Sequence, residues 1–214
     1  MVELKIDNVS KKIKKNPVLS EICAVFEGGK IYGLKGKNGC GKTMLMRIIC
    51  GLIIPDEGTV TINNELLHKD IEFPRSIGAL IENPAFLPSY SGFDNLRLLA
   101  SLQKDIGDED IVSALEAVGL NHLDKRVYRK YSLGMKQKLG IAHAIMGNPE
   151  LIILDEPINA LDEESVEKVK EKLVKLKDSG RLIIIACHDK EELEYLSDEI
   201  IEMKDGRIIG RRVL

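Results

Sequence analysis

The chain has 214 residues, of which 44% are hydrophobic and 30% charged, and its formal net charge is -3. That length suits one folding unit whose core needs no disulfide staples, and a mildly acidic balance gives no electrostatic pull toward nucleic acid. The apolar runs at 151–154 (LIIL) and 182–186 (LIIIA) fall far short of the roughly 20 residues that cross a bilayer, and MVELKIDNVSKKIKKN lacks the apolar stretch of a secretory signal, so the expectation is a cytoplasmic protein that does not itself span a membrane.

Residues 2–6 alternate apolar and charged side chains, and a lysine-rich turn leads to a second extended stretch at 18–26, which predicts antiparallel β structure at the start. An apolar strand at 31–34 then runs directly into GKNGCGKT (36–43) and a helix at 42–50. Residues 60–62 and 77–81 are further strand candidates, divided by Asn63, Asn64 and Pro74. From 94 to 146 the apolar spacing becomes helical, as at Leu96, Leu99 and Ala100, then Ile111, Leu115 and Val118. After this helical lobe come LIILD, a helix over 163–177, LIIIAC, a short helix at 190–196, and EIIEMKDGRIIG, whose Asp205-Gly206 pair marks a hairpin. Continuous apolar strands alternating with helices predict an α/β core built on a mostly parallel sheet. The four cysteines, Cys23, Cys40, Cys50 and Cys187, show neither Cys-x-x-Cys nor zinc spacing and read as reduced, mostly buried thiols.

GKNGCGKT matches G-x-x-x-x-G-K-[ST] in full, with the strand before it and the helix after it that a phosphate-binding loop requires. Gly36, Gly39 and Gly41 let the backbone of Lys37, Asn38 and Cys40 turn its N–H groups toward phosphate oxygens, and the helix N-terminus adds positive partial charge. Lys42 supplies a full charge to the β and γ phosphates and Thr43 a hydroxyl to Mg²⁺. Cys40 needs no redox role there; a small tolerated residue suffices. LIILDEP sets Asp155 and Glu156 at the end of a buried strand, where ligand sites open in such sheets. Asp155 fits a carboxylate holding Mg²⁺ and Glu156 a general base for water, against the alternative of a helix N-cap pair. His188 ends the next strand and reads as a γ-phosphate sensor, although lone histidines also serve as caps or core residues.

In this order, the residues resemble the ATPase subunits of ATP-binding cassette (ABC) transporters over nearly the whole chain. The resemblance makes GKNGCGKT a Walker A motif, LIILDEP a Walker B motif with its catalytic glutamate, NALD (159–162) a D-loop and His188 a switch histidine. It implies a RecA-like core plus antiparallel β part over about 1–81 and 148–214, with a helical subdomain over about 86–146. YSLGM (131–135) lies where that family carries LSGGQ, keeping Ser132 and Gly134 and replacing glycine and glutamine by Leu133 and Met135. Lys136, Gln137 and Lys138 read as a solvated helix face. At the Q-loop position stands Glu82, expected to join Thr43 and Asp155 around Mg²⁺, and Ile13 stands where an aromatic ring would stack on adenine.

The resemblance implies ATP and Mg²⁺ as cofactors and a head-to-tail dimer with a second copy or a homologous ATPase subunit, in which Ser132 and Gly134 complete the partner's site. It also implies a separate transmembrane permease, hence a peripheral place on the cytoplasmic face of the membrane, and no direct nucleic-acid contact. Phe86, Leu87, Tyr90 and Phe93 read either as an apolar patch for that permease or as ordinary lobe core. The run FLPSYSGFDNLRLL after IEN is similar to exporters of peptide antibiotics and related drugs, which favours export. The alternative is a soluble ABC-type ATPase without a permease, such as one serving iron-sulfur cluster assembly.

Overall fold

The structure, a computed structural model, describes residues 2–103, 105–187 and 190–214. Two sheets organise them. The first is antiparallel, in the order β2-β1-β4-β5, from β1 (Glu3–Ile13), β2 (Asn16–Glu27), β4 (Glu57–Ile62) and β5 (Glu65–Leu66). The second has the order β10-β9-β3-β8-β7-β6, from β3 (Lys30–Lys35), β6 (Ile77–Leu80), β7 (Leu151–Asp155), β8 (Leu182–Ala186), β9 (Glu199–Lys204) and β10 (Arg207–Val213). Its strands are parallel except for β10, which folds back on β9 across the expected Asp205-Gly206 turn. This is the α/β architecture that the sequence predicts.

The N-terminal strands are longer than their sequence suggests. The sequence predicts a lysine-rich turn between stretches at 2–6 and 18–26, but both strands run on to a tight reversal at Lys14 and Lys15. Register shifts between Ile6 and Val9, Val9 and Lys11, and Lys11 and Lys12 break the strict alternation there, so the period-two signal fails while pairing continues.

β7 and β8 are buried at every position. Alternate side chains leave opposite faces of a strand, so Ile152 and Leu154 pack with the helices on one side, while Leu151 and Ile153 join the core shared with the antiparallel sheet. A strand covered on both faces reads as an unbroken apolar run. Each such side chain contributes about 1.5 to 3 kcal/mol by leaving water.

Between β6 and β7 the chain forms α2 (Gly92–Ala100), α3 (Asp108–Ala117), a 3-10 turn (Tyr128–Lys130) and α4 (Leu133–Ile145). α1 (Lys42–Ile49) follows β3, and its buried Met44, Leu45, Ile48 and Ile49 press it onto the core. α5 (Glu163–Asp178) is amphipathic, with Val169, Leu173 and Leu176 buried, Glu163 and Glu164 in its first turn, and Lys175 and Lys177 in its last, a charge order that suits the helix dipole. α6 (Lys190–Leu196) precedes β9. Among the described residues no helix is long and apolar enough to cross a membrane.

Candidate functional site

Parallel register brings the strand ends together. Leu34 of β3 and Asp155 of β7 both pair with Ala186 of β8, so the loop after β3 and the acidic turn after β7 emerge at the same edge. Gly41 closes the first loop with φ of 110°, a conformation costly for any residue with a Cβ, and a Cβ there would stand 2.7 Å from Leu19. Lys37, Asn38 and Gly39 are exposed at the loop tip, whereas Cys40 is buried beneath it. A Cβ at Gly36 would come within 2.5 Å of the Cys40 sulfur, so the thiol fills the underside of the loop.

A cavity of about 370 Å³ opens beside the loop, and Lys42, Thr43, Asp155 and Glu156 share its wall with Val18 and Arg47. Lys42 is buried, and its ammonium donates to the Gly36 carbonyl at 2.7 Å. The Thr43 hydroxyl donates to Asp155 Oδ2 at 2.7 Å. Burial holds the Asp155 carboxyl above the usual carboxylate range; Glu156 and Glu82 push the same way, while the Thr43 hydrogen bond and Lys42 oppose them. Glu156 has φ of 51°, its N–H donates to the Ala186 carbonyl at 2.8 Å, and Asn159 Nδ2 lies 3.4 Å from its Oε2. These two acids are not caps: the cap of α5 is Asp162, which accepts from the Ser165 N–H at 2.9 Å.

Helix α4 leans on this acidic turn. Ser132 caps the helix by accepting from the Met135 N–H at 3.2 Å, and its side chain is exposed. A Cβ at Gly134 would lie 2.7 Å from the Ala160 carbonyl oxygen, so glycine permits close approach. Lys138 reaches Asp162 at 3.4 Å. Gln137 corrects the sequence reading: it is buried and donates to the carbonyls of Glu156 at 2.8 Å and Pro157 at 3.1 Å. The two flanking lysines made the segment look solvated, but one position of a helix can turn inward between neighbours that do not. Lys136 lies over the Tyr128 ring, 5.2 Å from its centroid.

Two other expected site residues, Glu82 and Ile13, do not line this cavity. Glu82, with φ of 60°, pairs with Arg47 at 2.5 Å, and among the described residues no three Asp, Glu, His or Cys side chains form a group that could hold a metal. Ile13 is 46% exposed beside the hairpin reversal and does not line the phosphate cavity, whereas Val18 does. His188 lies outside the described residues. Of the apolar quartet, Phe86 and Phe93 pack against the core, Phe86 edge-on to Tyr128 at 5.4 Å, while Leu87 and Tyr90 are exposed. Sequence reasoning missed Arg47 and Gln137. Arg47 carried a signal, since it follows Thr43 by one helical turn.

A loop of this conformation facing a buried aspartate across one cavity is the layout of a P-loop nucleotide-binding protein, and the exposed, serine-capped α4 turn beside the acid turn narrows the class. Residues 19–159 match the family model for the ABC transporter, and the chain belongs to that family as an ATP-hydrolysing, transport-coupled subunit. It is 48% identical over 96% of its length to an uncharacterized ABC transporter ATP-binding protein, YybJ of Bacillus subtilis, covering 94% of that protein. It is 39% identical to the bacitracin transport ATP-binding protein BcrA of Enterococcus faecalis over 96% of this chain and 68% of that one. With the lantibiotic transport ATP-binding protein SrtF of Streptococcus pyogenes it shares 36% identity over 96% of this chain and 89% of the other. Among solved structures, an ATP-binding subunit of an ABC transporter superposes with a TM-score of 0.89 at 25% identity, covering 99% of this chain and 90% of that one. A dimeric ATP-binding cassette in a post-hydrolysis state with ADP and Pi gives a TM-score of 0.88 at 24% identity, covering 99% and 98%, and supports the fold.

Proposed function

We propose that the chain works as one half of a head-to-tail ATPase dimer and powers a separate membrane permease that exports a peptide-antibiotic-like cargo. The observation that carries the ATPase part of the reading is the 2.7 Å hydrogen bond from Thr43 to Asp155, which joins the phosphate loop to the acidic strand end across one cavity. The relatives named for bacitracin and lantibiotic transport support the cargo class.

Lys42 holds the β and γ phosphates against the N–H groups of residues 36–43, and Ser132 with the start of α4 faces the triphosphate bound by the other subunit. Glu156 takes the proton of the attacking water as the water oxygen bonds to the γ phosphorus and the bond from that phosphorus to the β–γ bridging oxygen breaks, releasing ADP and inorganic phosphate. Gln137 and Asn159 hold the turn that aims it. The hard oxygen pair of Thr43 and Asp155, with the acid's charge disfavoured by burial, fits Mg²⁺, which takes few protein ligands and completes its shell with water and phosphate. When bound, that ion would offset phosphate charge. Docking on a permease would place the chain at the cytoplasmic membrane face, with the exposed Leu87 and Tyr90 as contact candidates.

Glu156→Gln tests the dimer. Removing a general base worth roughly 10² to 10⁴ in rate is expected to trap an ATP-bound dimer, and a monomer by light scattering in saturating MgATP would sink the idea. Isolation of the tagged chain from membranes is expected to bring a companion membrane protein with it; a chain that leaves the membrane alone would count against the permease.

A further inference from the structure

Thr43 and Arg47 lie one turn apart on α1, and both line the phosphate cavity. The Arg47 guanidinium reaches across to Glu82 on the segment after β6, donating from Nη2 to Oε1 at 2.5 Å. As a surface ion pair this contact adds little to folding stability, since the Arg47 side chain is 32% and the Glu82 side chain 60% exposed. Its position makes it matter. The cavity already holds two adjacent acids, Asp155 and Glu156, and besides Arg47 the one cation on its wall among the described residues is Lys42. Glu82 lies beside the cavity through its bond to Arg47, which lines it. A third carboxylate left uncompensated there would oppose a triphosphate carrying several negative charges of its own. The backbone of Glu82 is also in the left-handed region, a posture that costs a non-glycine residue free energy and that an anchored side chain helps to hold.

We propose that Arg47 is a positioning residue for the ATPase reaction: it anchors the Glu82 carboxylate away from the phosphate cavity and so keeps that cavity open to nucleotide. The inference rests on the ATP site described above and adds to it the residue that makes a glutamate tolerable at this place. With Arg47 lost, the charge of Glu82 is no longer offset and, beside Asp155 and Glu156, opposes the phosphates. Were Arg47 instead to act on phosphate through its own charge, its loss would cost the same whether or not Glu82 were present.

The test is a double-mutant cycle on the full chain, read by direct titration with a fluorescent ATP analogue. Arg47→Gln in the parent is expected to weaken binding about five- to tenfold, and the same change made on Glu82→Gln to cost less than about twofold, given the coupling usual for contacting charges. Melting temperatures of all four proteins check that each is folded, which the exposure of both side chains favours. Equal losses in the two backgrounds, or no loss in the parent, would overturn the proposal while leaving the ATP site intact. Failure of the parent to bind the analogue would overturn both.

Discussion

The side-chain amide of Gln137 donates to the main-chain carbonyl of Glu156 at 2.8 Å, fastening helix α4 to the acidic turn. The same amide reaches Pro157 O at 3.1 Å, so one buried residue satisfies two carbonyls of the turn that carries the proposed base. Gln137→Leu keeps the bulk and takes the amide donor away from both carbonyls, which is expected to cost about 1 to 3 kcal/mol of stability. The kcat should fall with KM for ATP near the parent value. A lowered melting temperature with unchanged kcat would show that the tie serves folding alone.

Asp155 gives a pH-dependent prediction. Its folded-state pKa is raised, chiefly by burial, so the folded chain holds this proton more tightly than the unfolded chain does. Stability therefore falls as pH rises from the unfolded pKa through the folded one, and the full penalty persists above it. Asp155→Asn still accepts from Thr43 and removes the charge. The nucleotide-free variant is expected to melt higher than the parent at neutral pH, each kcal/mol appearing as about 2 to 4 °C at this size. The advantage should vanish in acid below the usual carboxylate range, and hydrolysis should be lost. Thermal melts across pH decide it.

Gly134 is constrained by the neighbouring turn. A methyl group there would meet the Ala160 carbonyl at 2.7 Å, and both atoms belong to main-chain segments that cannot easily yield. Gly134→Ala is expected to cost about 1 to 3 kcal/mol as overpacking and to lower ATPase activity about tenfold by shifting the capped start of α4. Unaltered turnover would show that the close approach is incidental.

Ile13 bears on base selectivity. If Ile13 stands where the family resemblance puts a ring against adenine, that contact, worth about 1 to 3 kcal/mol per base, is missing, and GTP turnover is expected within about tenfold of ATP turnover. Ile13→Tyr should tighten ATP binding about fivefold. Strong rejection of GTP by the parent would contradict this.

The sequence revealed the core because its signals were local. GKNGCGKT carries its own turn chemistry, and the unbroken runs at β7 and β8 announce strands covered on both faces. Gln137 was illegible because its direction depends on a turn nineteen residues later, which no local spacing encodes. The Glu82 pairing was illegible for a similar reason, since only the fold shows the Arg47 guanidinium within its reach. The β1 and β2 ends were obscured by register shifts that erase the alternation on which strand reading depends.

Strand β3, which delivers the phosphate loop, takes both of its neighbours from far downstream: β8 on one side and β9 on the other. Behind the loop, the Gly206 N–H donates to the Cys40 carbonyl at 3.0 Å, and the Gly206 carbonyl accepts from the Ser20 N–H at 2.9 Å. A ribosome therefore makes the nucleotide-gripping segment early but cannot finish its setting until residue 206 has emerged. Until then the nascent chain has a phosphate loop in sequence only, because the strand that carries it still lacks both of its neighbours.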